Sequence, residues 1–597
     1  MLYAQLRRGG RLLMTSFFQP LKRYWRLLAR YLRPLRVWML GLAAILGATI
    51  CVQVVTPLVA SRFIDLATSG ADLSALFELA GASLGLALAG QALAVAETYV
   101  AEQVSWRATN ALRSDLLAHL LRLDAAFHAS HTPGELIERV DGDVATLARF
   151  FAQFVVAVLG NGLLLVGVLG LLYHVDWRVG LTLSGFVALA LIVMLRIRAV
   201  ATPSWAADRQ ASADFFGFLS EYLAGLEDIR ASGARAFVLR RCAEVMRSWL
   251  TVTRRAQMWG YGLGATSQGL FVLGTAVAFA LCAMLFRTGE LTIGMVYLIF
   301  QCTEMLRAPT EQLRNEVQNL QQADASIGRV AALLNTQPLV ADGPGSALPP
   351  GPLAVELENV SFGYVAGAAV LREVSVALAP GRVLGVVGRT GSGKTTLTRL
   401  LQRFYDPLEG VVSLGGVDLR QVRLADLRAR VGLVSQEVHI FHASVRANLT
   451  LFDETIADAQ ILAALETLGL SAWLRELPQG LDTPLLSEGS GLSAGQAQLL
   501  ACARILLGDP DLVILDEPSS RLDPATDRLV HAALGRLLAG RTSIIVAHRL
   551  ATLAYADDIL ILEDGRVREY GPRTVLAADP TSRFAELLRV ETEEVCL

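Results

Sequence analysis

The sequence predicts two domains of different class: an all-α transmembrane domain of six helices, followed by an α/β domain. Three observations carry this. First, 53% of the 597 residues are hydrophobic and only 18% charged, against roughly 25% charged in soluble domains. Mean hydropathy is +0.45. That balance excludes an ordinary soluble enzyme and a disordered chain. Second, long charge-free runs fill the N-terminal half and then stop. Third, beyond residue 352 short apolar strands alternate with helical segments, the α/β pattern. Net charge is −2, so no basic field points to nucleic acid.

Residues 1–36 read as a cytoplasmic segment with an amphipathic elbow helix. An Arg-rich start with no short apolar stretch ending in a cleavage site argues against a secretory signal. The transmembrane domain is expected over 37–335. Its charge-free runs are Val37–Ser61, Leu79–Ala96, Phe150–Val175, Val179–Leu195 and Ala256–Phe286, and a spanning helix needs ~17–25 apolar residues. A sixth run from Leu291 is interrupted at Glu304, yet a span to about Val317 is expected. Glu304 and Arg307, three residues apart, are expected as neighbours facing the bundle interior.

Positive charge sorts the loops. The N-terminal segment holds nine Lys/Arg, and the long loops 97–149 and 196–255 hold five and ten. The short loops 62–78, 176–178 and 287–290 hold one each. Lys/Arg excess marks the cytoplasmic side. Both termini and both long loops are therefore expected there, in a multi-pass protein of the cytoplasmic membrane. Residues 101–123 and 205–250 carry helical pattern, broken at the tips His131–Gly134 and Gly225–Asp228. Helices reaching far out of the bilayer follow. Residues 336–352, rich in Pro, Gly and Ala, read as a linker, and 353–597 as the second domain. The six cysteines show no metal spacing and are expected as small buried hydrophobes.

The chemistry begins at a strand, Arg382–Val387, that feeds Gly388-Arg389-Thr390-Gly391-Ser392-Gly393-Lys394-Thr395 and then a helix from Thr396. This is G-x-x-x-x-G-K-[ST] in the context that motif requires. Glycines let backbone N–H groups wrap phosphates, Lys394 supplies a point charge, and the Thr395 hydroxyl reaches Mg²⁺. Lysine occurs elsewhere only at Lys22, every other basic residue being Arg. A second element, Leu512-Val513-Ile514-Leu515-Asp516-Glu517, is a buried strand ending in two acids. Asp516 is expected to hold Mg²⁺ through water, and Glu517 to act as general base on the attacking water.

Between these lies Leu492-Ser493-Ala494-Gly495-Gln496. Together with the P-loop it resembles the ABC-transporter ATPases, whose signature is LSGGQ. The resemblance implies roles at further positions. Tyr364 resembles the aromatic that stacks on adenine, and Thr396 joins the ATP-binding set. Gln436, in Val434-Ser435-Gln436, resembles the Q-loop glutamine at Mg²⁺. Ser519 to Asp523 resembles the D-loop, and His548 the switch histidine. Phe127–Val144, Glu221–Arg235 and Gly289–Gly294 resemble the two cytoplasmic loops of ABC exporters and the turn before the sixth helix. There are departures: Ala494 replaces a signature glycine, Ser487–Gly491 is short, and Leu499 stands where many members carry Arg.

The resemblance implies a half-transporter of the exporter type, with an α/β P-loop ATPase of the ABC kind behind six spans. ATP and Mg²⁺ are the expected cofactors. A second half-transporter subunit, membrane lipid and an unidentified solute are the expected partners, with no nucleic acid. The leading expectation is ATP-driven export of a small amphipathic or lipid-like solute by a dimer that alternates its access. Import through the same fold and an ATP-gated membrane regulator are the alternatives. A peptide exporter carrying its own leader protease is not expected, since no Cys precedes Cys51. The altered signature tilts the pairing toward a heterodimer.

Overall fold

The computed structural model describes residues 29–153, 158–365, 367–485, 492–516, 524–547 and 550–595. Contacts divide the chain into two units: residues up to Leu121 with Pro133–Thr336, and Arg122–Thr132 with Gln337 onward.

The first unit is helical throughout. Its long helices are α1 (Arg36–Thr68), α2 (Leu73–Leu120), α3 (Asn161–Val175), α4 (Trp177–Ala224) and α5 (Arg235–Arg287). Those charge-free stretches cannot leave backbone N–H and C=O groups unpaired in lipid, so helix is the available answer. Five helices among the described residues are long and apolar enough to cross a membrane. The second and fifth carry their apolar stretches straight into the polar arms. α2 has 48 residues and α5 53, on the order of 70–80 Å at ~1.5 Å rise per residue. Asp176 caps α4, its carboxylate accepting from the N–H groups of Arg178 (2.7 Å) and Val179 (3.4 Å). The run expected as one span over Phe150–Val175 has α3 preceded by helix Val144–Gln153, with 154–157 between them outside the described residues.

The expected sixth span differs from a single rod. It consists of α6 (Ile293–Met305) and α7 (Arg307–Asn335), meeting at Leu306. Pro309 gives the reason: it has no N–H to return to the Met305 carbonyl, and it disfavours helical geometry just before itself. Glu304 and Arg307 do not pair with each other. Arg307 Nε donates to Glu311 (3.4 Å), and Glu304 accepts from the Thr275 hydroxyl (3.3 Å). The four-residue spacing wins because the helical offset at Leu306 separates the nearer pair. At the start of α6, Asp65 from α1 accepts from the Gly294 N–H and the Thr292 hydroxyl, both at 2.8 Å. A Cβ on Gly294 would lie 2.2 Å from the Ser61 carbonyl oxygen, so only glycine allows that approach.

A bidentate ion pair joins the first loop to α7. Asp143 is 3% exposed and receives Arg329 Nε at 2.9 Å, with Nη2 on its other oxygen. Arg329 itself is half-exposed. Loss of either partner therefore has unequal effects. Arg329→Ala strands a buried carboxylate and should cost about 3 kcal/mol. Asp143→Ala leaves a cation that water can reach and should cost about 1 kcal/mol. Thermal unfolding in detergent, followed by a thiol-reactive dye at buried Cys282 and Cys302, measures the difference. Equal losses would contradict it.

The cysteine expectation holds in part. Cys282, Cys302 and Cys502 are buried, but Cys51 is exposed and Cys242 half-buried. Complete burial pushes the Cys502 thiol up to about 12. Cys596 lies outside the described residues.

The second unit is α/β. A four-stranded antiparallel sheet joins β1 (Val355–Phe362), β2 (Leu371–Leu378), β4 (Glu409–Leu414) and β5 (Val417–Asp418). A six-stranded sheet has the order β12-β11-β3-β10-β9-β6. Here β3 is Val383–Val387, β6 Val431–Val434, β9 Leu512–Asp516, β10 Thr542–Val546, β11 Asp558–Glu563 and β12 Arg566–Pro572, while β7 (Ala443–Ser444) and β8 (Pro484–Leu485) form a separate antiparallel pair. The strands β11, β3, β10, β9 and β6 are parallel, and β12 is antiparallel. Both faces are covered, as a parallel sheet requires. Period-two alternation shows it: Leu512 and Ile514 enter one apolar core, Val513 and Leu515 the other.

Candidate functional site

The parallel register places the chemistry. Val386 of β3 pairs with Val546 of β10, which pairs with Asp516 of β9. Three C-terminal strand ends thus lie in one row, where open α/β sheets take their ligands. From the first of these ends runs the loop Gly388–Gly393, opening helix α8 (Lys394–Leu401). Asp516 stands two strands away and is buried. Glu517, which follows Asp516 in sequence, and His548, two residues after Val546, lie outside the described residues, as does the D-loop through Asp523.

The loop is shaped for an anion. Gly391 and Gly393 adopt φ of +84° and +103°, and a Cβ on Gly393 would sit 2.5 Å from Leu371 Cδ2. Lys394 is 5% exposed, and its Nζ donates to the carbonyls of Gly388 (2.7 Å) and Arg389 (3.1 Å). The ammonium is thereby held over the loop whose backbone it closes. Ser392 Oγ is buried with no hydrogen-bond partner among the described residues. Burying an unpartnered hydroxyl is costly, and a phosphate oxygen is the kind of group that would satisfy it. Arg389, Thr390 and Thr395 complete the turn and the first residues of the helix.

Beside the loop stands an aromatic group. Tyr364 is exposed on one side, and its ring meets Phe362 (5.1 Å) and Tyr405 (5.2 Å) edge-on. Its hydroxyl lies 3.1 Å from Thr396 Oγ1 and accepts from Arg399 Nη1 at 3.1 Å. Burial raises the Tyr405 hydroxyl above its ordinary range, and the Arg399 charge opposes it. Arg399 and Tyr405 were not singled out by the sequence. The spacing Lys394–Arg399 along a helix opening from a P-loop is the signal that could have found the first. Gln436 lies exposed just after β6. Asp124, at the tip of the first loop, caps helix Ala125–Ser130 through the Phe127 N–H (3.0 Å), and its other oxygen accepts from the N–H groups of Leu339 and Val340.

The segment Leu492–Gln496 opens helix α9 (Ala494–Gly508). Ser493 Oγ accepts from the Gln496 N–H (3.1 Å), and Gln496 Oε1 accepts from the Ser493 N–H (2.9 Å). This reciprocal cap fixes the helix start. Ala494 is the first helical residue and has no positive φ. Its methyl therefore imposes no backbone strain. Gly495 is buried. Leu499 is 2% exposed inside the apolar core, which accounts for the absence of an arginine. Arg504 on the same helix bonds the Asn448 carbonyl (2.7 Å) and the His439 carbonyl (3.0 Å) instead.

Comparison with known proteins agrees with this arrangement. Residues 37–309 match the model of the ABC transporter transmembrane region, and 371–520 match that of the ABC transporter family. An ATP-dependent lipid A-core flippase of Chromobacterium violaceum is 32% identical over 80% of this chain and 82% of its own length. A multidrug efflux ATP-binding/permease protein of Mycobacterium tuberculosis is 30% identical over 95% of this chain and 47% of its own length. The structure of a bacterial Atm1-family ABC exporter with ATP bound aligns with a TM-score of 0.80 at 24% identity, covering 93% of this chain and 98% of that one.

Proposed function

This chain belongs to the ABC transporters, as an exporter-type half-transporter and an ATPase coupled to transmembrane solute movement, and from that premise we propose that it exports a small amphipathic or lipid-like solute. It does so across the cytoplasmic membrane, with both termini cytoplasmic, as a dimer. One chain carries one P-loop and one signature segment, so two subunits supply two complete sites. The observation that supports this reading best is the row of three strand ends bearing a closed phosphate loop and a buried acid.

In that reading the ring of Tyr364 stacks on the adenine. Backbone N–H groups of Gly388, Arg389, Thr390, Gly391, Ser392 and Gly393 receive the phosphates, with Lys394 and Thr396 beside them. Thr395, Gln436 and Asp516 offer hydroxyl, amide and carboxylate oxygens, the donor chemistry that magnesium takes. The ion, when bound, offsets the phosphate charge. Glu517 accepts a proton from the attacking water, and His548 contacts the γ-phosphate. Leu492, Ser493, Ala494, Gly495 and Gln496 present the N-terminus of α9 to the nucleotide held by the second subunit, where its partial positive charge favours an anion. Asp523 belongs to the same interface.

The test is vectorial transport. Proteoliposomes with their ATPase domains outward, given ATP, should carry a fluorescent lipid from the outer to the inner leaflet. Movement in the opposite direction would support import. ATP turnover with no movement of lipid or drug probes would leave a membrane regulator as the better reading.

A further inference from the structure

Among the described residues, a cavity of about 310 Å³ opens between α1, α2 and α6, lined from the first two charge-free runs and the interrupted sixth. That is at the small end of ligand-sized cavities, ~300–1,000 Å³. Its lining holds no charged side chain. It does hold three side-chain amides, Gln53, Gln91 and Gln301, one from each helix. None of the three has a hydrogen-bond partner among the described residues. Amides placed in an apolar layer without partners are costly, so acyl chains are poor occupants of this space.

The remaining polar groups are biased toward acceptance. The Thr49 hydroxyl donates to the Ile45 carbonyl (3.0 Å), and the Thr56 hydroxyl to the Val52 carbonyl (2.7 Å). Each donor is committed, while the oxygen lone pairs remain available. Pro57, also in the lining, has no N–H to return to the Gln53 carbonyl four residues earlier. That main-chain oxygen is a further acceptor. Val52, Leu86 and Met305 supply an apolar wall alongside. An occupant that suits this lining donates several hydrogen bonds, carries no net charge, and continues into an apolar tail. Glu304, the nearest acid in sequence to Gln301, is outside the lining and engaged by Thr275.

We propose that this cavity binds the uncharged, hydroxyl-bearing head group of an amphiphile. The proposal rests on the transport reading above and names the solute class for it. A charged head would lose its hydration there with no counter-charge to replace it.

The experiment uses the dimer in lipid nanodiscs and three probes with one tail: dodecyl maltoside, dodecyl sulfate and dodecyltrimethylammonium, each below its micelle concentration. Binding of radiolabelled dodecyl maltoside is measured by equilibrium dialysis, and the other two compete against it. The maltoside should bind at least about tenfold more tightly than either charged probe, and Gln91→Leu with Gln301→Leu should weaken it about tenfold. Because a leucine pair can disturb folding, Gln301→Glu provides a gain of function. It should make the trimethylammonium probe compete at about tenfold lower concentration than in the parent. Equal competition by the charged probes would overturn the proposal. So would unchanged selectivity in Gln301→Glu, or unchanged binding in the leucine pair, including the case where that pair alters subunit assembly instead. Selective binding that is sensitive to these substitutions, with no vectorial movement in proteoliposomes, would leave the site standing and remove the transport reading.

Discussion

Glu517→Gln is expected to lower ATP turnover by about 10²–10⁴-fold, the usual contribution of a general base, while ATP binding persists. The amide keeps the size of the carboxyl and loses the ability to take a proton. The argument starts from position. Asp516 closes β9 level with Val386 and Val546, in the row of strand ends where the phosphate loop begins, and Glu517 follows it directly in sequence. In the proposed reading the two acids divide the work, Asp516 toward the metal and Glu517 toward water. The measurement is steady-state phosphate release beside equilibrium binding of a fluorescent ATP analogue. Turnover within about twofold of the parent would show that another group is the base. Pairing adds a second readout. In a homodimer the change removes both bases. In a heterodimer it removes one, and the residual rate reports the site built on the second subunit's P-loop. Co-expression with a neighbouring half-transporter, mutating each base position separately, tells the two apart.

The phosphate loop was legible because its residue types are dictated by geometry: glycines where φ turns positive, a lysine where charge must be compact. The α/β order was legible from short apolar strands. The sixth span was less so. Its charges at Glu304 and Arg307 signalled trouble, but the break follows from Pro309, whose effect falls on residues before it. The same lesson holds for Glu304 and Arg307: a three-residue spacing names neighbours only while the helix is regular. Ala494 departs from the signature glycine, yet Ser493 caps a helix in which Ala494 takes ordinary right-handed geometry. Any handicap at that site must come from the methyl meeting phosphate, not from the backbone, and the case for an unequal heterodimer loses one of its supports. The cavity glutamines, scattered over 250 residues of sequence, converge only once α1, α2 and α6 pack.

Lys394→Ala should abolish transport and weaken ATP binding by roughly 10–150-fold, the equivalent of about 1.5–3 kcal/mol for a hydrogen bond to a charged group. The ammonium has two tasks. It opposes phosphate charge, and it ties the Gly388 and Arg389 carbonyls into the closed loop. Removing it leaves two carbonyl oxygens without that donor in a site where Lys394 is nearly inaccessible. The loop should loosen, so lost affinity must be separated from lost structure. Ligand-linked stabilisation does this, since a ligand that binds only the folded state raises its stability with concentration. The parent should gain thermal stability on addition of ATP with magnesium. The variant should start near the parent's nucleotide-free value and gain little. Lys394→Arg should rescue neither binding nor transport. A guanidinium is longer and planar, and it cannot replace a compact ammonium donating to two adjacent carbonyls. Lys394 is 5% exposed, so a larger head group meets a buried site rather than open solvent. A variant with Arg at 394 that transports normally would show that charge alone, and not the shape of this cradle, is what the site requires.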